Sequence, residues 1–302
     1  MTCNGQPLYG AHMSTAGGLW RAFEHAAALR CTCVQLFVKN QQQWNGKPLL
    51  AEEVQRFHET ARSTAIAPVV AHAGYLINIA SPGQEFLRRS TAALIDEVER
   101  CTALGVPDLV LHPGAHLGAG EAQGLKRAAR TLSEILRSTG GAPTRILLET
   151  TAGQGTALGY RLDHLEAIQA EVAAPERLGV CLDTCHLFAA GYDLRKEPEY
   201  LRLISDLKRH VGLSAIRCVH VNDSAKPCGS RVDRHAHLGR GRIGTRHLAR
   251  LVADPSFARV PMILETPKGP GRKDTEWDEM NLKKLRRMFA PRISKTQQRP
   301  NR

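Results

Sequence analysis

The chain has 302 residues, of which 42% are hydrophobic and 23% are charged. This apolar fraction is ordinary for a globular protein and too high for a disordered chain. Lys and Arg together number 41 and Asp and Glu number 29, so the formal charge is +12. A surplus of this size points to polyanionic partners, with nucleic acid first and an anionic membrane surface second.

The sequence carries no membrane or export signal. No stretch approaches the ~18 unbroken apolar residues of a transmembrane helix. Met1–Pro7 has neither a basic region nor an apolar core, so we predict no secretory signal. None of the eight cysteines shows C-x-x-C spacing, which argues against a thiolate zinc finger. We therefore expect a cytoplasmic protein with reduced thiols and no membrane partner.

Eight short runs rich in β-branched and aliphatic residues recur along the chain. They are nearly continuous in apolar residues rather than alternating, as is typical of strands buried on both faces of a parallel sheet. The predicted strands are Leu8–Ala11, Cys33–Val38, Pro68–Ala71, Leu109–Leu111, Arg145–Leu148, Gly179–Leu182, Ile216–Val221 and Val260–Leu264.

A segment with helical spacing follows each predicted strand. The predicted helices lie near residues 17–30, 52–65, 84–104, 122–138, 161–173, 197–211, 244–253 and 276–289. Eight βα units favour a single-domain α/β fold, the (β/α)8 TIM barrel. An open doubly wound sheet is the alternative, but no Gly-rich phosphate fingerprint follows the first strand. We assign residues 1–290 to the barrel and residues 291–302 to a basic, disordered tail.

Six consecutive strands end in a histidine or a carboxylate. A lone histidine at a strand end is more often a hydrogen-bonded core or rim residue than a ligand. These ends belong to separate βα units, however, and in a barrel they meet on the face where active sites lie. The residues at these ends are His72, His112, Glu149, Asp183 with His186, His220 with Asp223, and Glu265.

Burying so many ionisable groups together would cost several kcal/mol per unpaired ion, and a shared cation removes this cost. The long loop from Asn222 to Gly244 adds two further candidate ligands, Asp233 and His235. Leaving Asp223 aside, nine candidates suit two or three ions at three or four ligands each. Imidazole and carboxylate ligands favour Zn2+ or Mn2+, while Cys181 and Cys185 read as packing residues. Closely spaced ions suit phosphoester hydrolysis, and a purely structural metal site is the alternative.

Polar and aromatic residues on the same face are candidate DNA contacts. Amides and aromatic rings on loops can probe a groove, stack on bases or wedge between them. For Trp44 the alternative is that its ring packs under its own loop. Arginines near a phosphate-handling site would grip backbone oxygens, or else belong to a solvated charged loop. The candidates are Gln42, Gln43, Trp44 and Tyr75, followed by Arg231, Arg234, Arg240 and Arg242.

Nine motifs between Tyr9 and Met288, taken in order and spacing, are highly specific. They are GAHMSTAGG, LFVKNQQQW, AHAGYLIN, LHPGAH, LLETTAGQG, LDTCHLFAAGYD, HVNDS, GSRVDRHAHLGRGRIG and ILETPK. Through them the chain resembles bacterial endonuclease IV (deoxyribonuclease IV, AP endonuclease family 2), a zinc-dependent family of base-excision DNA repair.

The resemblance implies a monomeric barrel with three Zn2+ at its mouth. The family pattern assigns His72, His112 and Glu149 to the first ion. Glu149 would bridge to the second, which Asp183, His220 and Glu265 complete, and the third would bind His186, Asp233 and His235. Such enzymes cut the phosphodiester 5′ to an abasic site in duplex DNA, leave a 3′-hydroxyl and remove 3′ blocking groups. Glu149 and Glu265 are the implied catalytic residues, with Glu265 orienting the attacking hydroxide.

Family members also insert loop residues at the lesion, kink the duplex and turn the abasic nucleotide out. Tyr75 and Gln43 match positions used there. Gln42 falls where Arg is common, and Ala73-Gly74 replaces a more polar pair, which bears on lesion affinity and not on the chemistry. Two other functions stay open, a metal-dependent sugar isomerase or epimerase of the xylose isomerase-like type and a non-catalytic DNA-binding barrel. The third ligand group weighs against both.

The charge surplus is concentrated at the C-terminal end. Residues 281–302 contain eight Lys or Arg and no Asp or Glu, so the rest of the chain carries only about +4 of the +12. The overall surplus therefore points poorly to a DNA-binding face. Three Zn2+ would add positive charge at the barrel mouth and reverse its sign.

Overall fold

Eight parallel strands form one sheet in the computed structural model, which describes residues 6–269 and 274–289. The described strands, eight in this sheet and two outside it, are β1 Tyr9–Ala11, β2 Val34–Leu36, β3 Val69–His72, β4 Asp108–Leu111, β5 Arg145–Glu149, β6 Leu178–Asp183, β7 Ile216–His220, β8 Asp223–Ser224, β9 His235–Ala236 and β10 Met262–Leu264. The sheet order is β1-β10-β7-β6-β5-β4-β3-β2, and β8 and β9 form a separate antiparallel ribbon. The predicted barrel is confirmed.

The barrel closes between β1 and β2. A parallel bridge pairs His12 with Gln35, and the backbone N–H of Met13 donates to the Gln35 carbonyl at 2.8 Å. These contacts join the two ends of the sheet order, so no edge strand is left open between β1 and β2.

The described part of the chain contains nine α-helices. They are α1 Arg21–Ala28, α2 Ala51–Thr64, α3 Gln84–Ala103, α4 Glu121–Ser138, α5 Leu162–Glu171, α6 Thr184–Ala190, α7 Glu197–His210, α8 Thr245–Val252 and α9 Asp274–Met288. No described helix is long and apolar enough to span a bilayer. The predicted tail, residues 291–302, lies outside the described residues.

The sequence prediction missed one helix and began another too early. The α6 helix was not predicted, although Asp183 caps its N-terminus by accepting the N–H of His186 at 2.8 Å. The predicted helix near 17–30 begins only at Arg21, because Gly17 and Gly18 have φ of 86° and 134°, which a helix does not accommodate.

A layer of apolar side chains fills the barrel interior. Its members are fully buried and come from seven strands or strand ends: Cys33, Val70, Val110, Leu147, Cys181, Cys218 and Ile263. The larger outer core lies between the sheet and the helices, where Phe23 meets Phe57 edge-on with ring centroids 4.8 Å apart. The interior layer therefore forms the floor on which the barrel mouth is built.

We predict that Leu147→Ala destabilises the fold by about 2–5 kcal/mol, because it leaves a cavity in the interior layer. The free energy of unfolding in urea measures this loss. Leu201→Ala is the matched control, since Leu201 lies on α7 and is 60% exposed. Equal effects of the two substitutions would contradict the prediction.

Candidate metal centre

The candidate ligands form the next layer of the barrel interior. Side chains two positions apart on a strand point to the same side. Thus Val70 is followed by His72 and Leu147 by Glu149, each pair facing into the barrel. The same step leads from the apolar layer to His112, Asp183, His220 and Glu265.

Glu149 lies at the centre of this layer and has no exposed surface. Its Oε2 atom lies 3.2 Å from Nε2 of His72 and 3.1 Å from Nε2 of His112. Its Oε1 atom lies 3.0 Å from Nδ1 of His220 and 3.2 Å from Nδ1 of His186. One carboxylate therefore faces two different sets of histidines, as a bridging ligand must.

A second group joins Glu149 to Asp183, His220 and Glu265, whose ligand atoms all lie within 4.8 Å of one another. Nδ1 of His220 is 3.1 Å from Oε2 of Glu265 and 3.9 Å from Oδ2 of Asp183. Buried Asn222 holds this group together, since its Nδ2 donates to Asp183 at 2.6 Å and its Oδ1 accepts the N–H of Glu265 at 2.9 Å.

The third group contains His186, Asp233 and His235. Oδ2 of Asp233 lies 3.0 Å from Nε2 of His186, and its Oδ1 lies 3.4 Å from Nε2 of His235. The buried Nε2 atom of His235 has no hydrogen-bond partner among the described residues. A ring nitrogen without a hydrogen-bond partner, close to carboxylate oxygens, is placed to bind a cation together with them.

Three of these histidines have one ring nitrogen bonded to a backbone carbonyl. Nδ1 donates to the carbonyl of Ala73 at 2.8 Å in His72, and to that of Thr150 at 2.8 Å in His186. In His235 it donates to the carbonyl of Glu265 at 3.0 Å. Because a carbonyl can only accept, Nδ1 carries a proton in each ring, and Nε2 is the nitrogen that a cation would bind. The donor set therefore fits a divalent cation.

The charges within the layer stabilise one another. Burial raises the pKa of Glu149, but His220 and His112 outweigh it and hold the pKa well below its ordinary value. Burial likewise opposes ionisation of Asp233, yet His186 lowers its pKa to about 2. Burial lowers the pKa of His186, and Asp183 and the neighbouring carboxylates raise it well above the ordinary value. The layer thus keeps its carboxylates ionised while attracting positive charge.

The two cysteines near the layer are buried. Burial raises the pKa of Cys181 well above its ordinary value and that of Cys185 to about 12. The Cys185 thiol donates to the Arg234 carbonyl at 3.6 Å. Both thiols also lie within 4.8 Å of candidate ligands, Cys181 beside His220 and Cys185 beside Asp183 and His235, and their role as packing residues stays a prediction.

Asp223 organises the long loop after β7 instead of joining the ligand groups. It is fully buried and accepts backbone N–H groups from Gly239, Gly241 and Ile243 at 2.9 to 3.1 Å. A Cβ atom on Gly241 would lie 2.4 Å from Oδ1 of Asp223, so only glycine fits there. The carboxylate thereby fixes the loop that carries Asp233 and His235.

Gln42 and Gln43 are exposed and line a cavity of about 910 Å3 between the β1–α1 and β2–α2 loops. Tyr75 is 67% exposed, and its ring lies 5.5 Å from that of Phe37 and 6.0 Å from that of His72. Tyr75 therefore lies beside the layer of candidate ligands, and Gln42 and Gln43 line a cavity that His12 also lines.

Trp44 lies differently, half-buried against α3. Its ring meets Phe86 edge-on at 5.2 Å, and the Arg89 guanidinium lies 4.7 Å above it. This is the packed arrangement that the sequence left open as an alternative, and a DNA contact for Trp44 stays a prediction.

A buried ion pair connects the two loops. The Nζ atom of Lys39 donates to the Trp44 carbonyl at 3.0 Å and lies 3.4 Å from Oε1 of Glu97 on α3. Glu97, only 1% exposed, also accepts the N–H of Gly74, the residue before Tyr75. One helix thus braces both loops on the rim.

The four predicted arginines lie on the long loop. Arg231 stacks over Tyr160 at 4.2 Å, and Arg240 over Trp277 at 4.7 Å. Arg234 lines a cavity of about 300 Å3 beside His112, His186 and Asp233. The backbone N–H of Arg242 donates to the Ser224 carbonyl at 2.7 Å.

Sequence reasoning missed two residues that contact the candidate ligand Glu265, His12 and Gln35. Gln35 is fully buried and hydrogen-bonds Glu265 at 2.6 Å and His220 at 2.8 Å. The signal was present, because Gln35 follows Cys33 of the apolar layer by two positions.

Comparison with known proteins identifies the family of this chain. Residues 23–288 match the family model described as a xylose isomerase-like TIM barrel. A probable endonuclease 4 from Chloroflexus aggregans is 50% identical over 280 residues, which cover 93% of this chain and 97% of that one. The chain belongs to the endonuclease IV family. The crystal structure of endonuclease IV from Thermus thermophilus superposes with a TM-score of 0.82 at 38% identity, covering 94% of this chain and 99% of that one.

The endonuclease IV fold is shared with proteins of other names. A D-tagatose 3-epimerase-like protein superposes with a TM-score of 0.70 at 19% identity, covering 93% of this chain and 97% of that one. At this identity the likeness shows the fold alone.

We predict that Asp223→Asn destabilises the protein, because its amide NH2 group would face backbone donors. Each buried donor left unpaired costs about 1–3 kcal/mol. Urea unfolding measures the effect, with Glu52→Gln as the control, since it removes an equal charge from an exposed position of α2. Unchanged stability in Asp223→Asn would refute the organising role of this carboxylate.

Proposed function

We propose that the chain is a zinc-dependent apurinic/apyrimidinic endonuclease that cuts the phosphodiester 5′ to an abasic site in duplex DNA. The observation that carries the proposal is the convergence of three ligand groups on one barrel mouth, with Glu149 shared by two of them. As a member of the endonuclease IV family, the chain is a DNA-cleaving hydrolase.

Each of the three ligand groups would hold one ion. His72, His112 and Glu149 would hold the first Zn2+, and Glu149 with Asp183, His220 and Glu265 the second. His186, Asp233 and His235 would hold the third. When bound, closely spaced divalent ions neutralise phosphate oxygens and activate water for attack on phosphorus. Mn2+ suits the same ligands.

The chain's own groups have separate tasks at the site. Glu149 fixes the spacing of the first two ligand groups, because its two oxygens face different histidines. Glu265 keeps Oε1 hydrogen-bonded to Gln35, so its Oε2 is the atom left to orient the attacking oxygen. Both carboxylates stay ionised at neutral pH, since neighbouring histidines outweigh burial and hold each pKa well below its ordinary value.

The rim would hold the duplex. Gln42, Gln43 and Tyr75 stand on loops beside the ligands, and Arg231 and Arg234 stand on the loop that carries Asp233. Amides and an exposed ring suit probing and stacking at a site that lacks a base, while arginines suit backbone phosphates. Trp44 packs against α3 and supports the same loop, and its contact with DNA stays a prediction. The same site would remove 3′ blocking groups, and the chain would act as a monomer.

We predict that the purified protein holds about three zinc ions per chain and nicks a synthetic abasic duplex, leaving a 3′-hydroxyl. Prolonged chelation should abolish cutting and added Zn2+ should restore it. Glu149→Gln should lower the cutting rate by more than roughly 100-fold, beyond the usual effect of an outer-shell residue, because a neutral amide cannot bridge two ions. Metal analysis and gel-resolved incision on the same sample measure both quantities.

Glu176→Gln is the control for this experiment, since it makes the same change at an exposed residue just before β6, at the opposite end of that strand from Asp183. Full cutting by folded Glu149→Gln would sink the assignment. One ion per chain without cutting would favour a sugar isomerase or epimerase. Binding of abasic duplex without cutting, with zinc present, would favour a DNA-binding barrel.

We predict that Tyr75→Ala weakens binding of abasic duplex, because the exposed ring loses a stacking contact of about 1–3 kcal/mol. The Kd of zinc-loaded protein for abasic and intact duplexes that carry an uncleavable phosphodiester analogue tests this. Leu201→Ala removes an exposed side chain of α7 and serves as the control. An unchanged Kd in Tyr75→Ala would remove Tyr75 from the DNA contacts.

A further inference from the structure

The side chain of Gln35 is the least expected neighbour of the candidate ligands in the barrel interior. It lies on β2 with no exposed surface, at the bridge with His12 that closes the barrel. Its Nε2 atom lies 2.6 Å from Oε1 of Glu265 and 3.0 Å from Nδ1 of His12. Its Oε1 atom lies 2.8 Å from Nε2 of His220. Gln35 is outside the nine candidate ligands, yet it contacts two of them.

The chemistry of its partners fixes which way this amide points. An ionised carboxylate only accepts hydrogen bonds, so the NH2 group must face Glu265. The amide oxygen therefore faces His220 and accepts a hydrogen bond from Nε2–H. Nδ1 is therefore the nitrogen of His220 left to bind a cation, and it lies 3.0 Å from Oε1 of Glu149 and 3.1 Å from Oε2 of Glu265.

His220 differs in this respect from three other histidines of the centre. His72, His186 and His235 donate Nδ1–H to backbone carbonyls and present Nε2 to the site. His220 presents Nδ1, and its other nitrogen is held by a side chain. Its tautomer consequently depends on a residue that a single substitution can remove.

The same amide also selects the oxygen that Glu265 offers. Oε1 accepts from Gln35, so Oε2 is the oxygen that points at His220 and the second ligand group. The backbone at Gln35 is held in place, because its carbonyl accepts a hydrogen bond from the N–H of Met13 where the barrel closes.

We propose that Gln35 is a positioning residue that sets the Nδ1-ligating form of His220 and the orientation of Glu265 in the second ligand group. This inference rests on the proposed zinc-dependent function. Outer-shell partners of metal ligands commonly act in this way, by fixing the tautomer and ring orientation. Gln35 does so for two ligands at once.

The experiment compares Gln35→Met with wild type, both loaded with zinc. Met keeps the volume of the side chain and removes the amide. Leu36→Met is the control, because Leu36 is a fully buried neighbour on the same strand that belongs to the outer core. In Gln35→Met we expect the affinity of the protein for one of its zinc ions, measured by competition with a chelator, to fall roughly 10–100-fold. The control should bind all of its zinc as the wild type does.

Nitrogen-15 NMR of the histidine rings gives a readout that a merely structural role would not move. In the zinc-loaded wild type we expect His220 to be metal-bound at Nδ1 and protonated at Nε2, with slow exchange of that proton. Gln35→Met should lose the slow exchange. Gln35→Glu, which keeps an acceptor for His220 but not a donor for Glu265, should keep the Nδ1-bound form while cutting falls.

The outcomes separate the two proposals. A Gln35→Met protein with wild-type zinc affinity and an unchanged His220 signal would overturn the positioning role, whatever the wild type does to DNA. Metal bound to Nε2 of His220 in the wild type or in Gln35→Glu would overturn it too. A wild type that binds zinc but leaves abasic duplex intact would overturn the proposed function, and the His220 signal would still decide the role of Gln35. A wild type without zinc would overturn both.

Discussion

Glu149 is a fully buried carboxylate at the centre of the barrel mouth, and its negative charge must be balanced by nearby positive charge. The other residues of the site are placed where they balance it. Glu149 lies within 3.2 Å of nitrogen atoms from four histidines. An isolated ion in such a place would be very costly, whereas one surrounded by imidazoles and open to a cation is not. The ligands, the residues that orient them and the loop that completes the third group all follow from stabilising this charge.

The same requirement explains why the polar residues form a layer. The strands present side chains to the interior with a period of two, so one register of positions is apolar and the next lies at the mouth. Leu147 below and Glu149 above are neighbours in this register, as are Val70 and His72. The apolar layer excludes water from below, and this exclusion strengthens the electrostatic attraction within the polar layer.

Much of this arrangement could be predicted from the sequence. Apolar runs with a polar residue at each C-terminal end specify both the barrel and the strand-end candidates, since the two signals come from the same positions. Helix α6 was missed because its seven residues are too few for periodicity, although Asp183 and Gly191 mark its two ends as caps. Gln35 was missed because a single amide inside a predicted apolar strand, Cys33–Val38, does not stand out by residue type as a partner of metal ligands.

Other features depend on contacts between segments that are far apart in the sequence. Nothing near Asp223 in the sequence distinguishes it from the candidate ligands, and only the fold brings Gly239 and Gly241 onto its oxygens. Likewise the ring of Trp44 is covered by Phe86 and Arg89, which lie more than forty positions along the chain. Such partners are decided by how α3 packs on the barrel.

The Lys39–Glu97 pair has a consequence for how a duplex is received. Because Glu97 holds Gly74 and Lys39 holds the Trp44 carbonyl, the loops that carry Tyr75 and Gln43 are tied to one helix and to each other. A buried ion pair resists separation, so neither loop adapts alone to a bound molecule. Under the proposed function, the shape change on binding would then fall on the DNA, and a duplex weakened by a missing base bends at lower cost than an intact one. Rigidity in the protein would in this way become discrimination between duplexes.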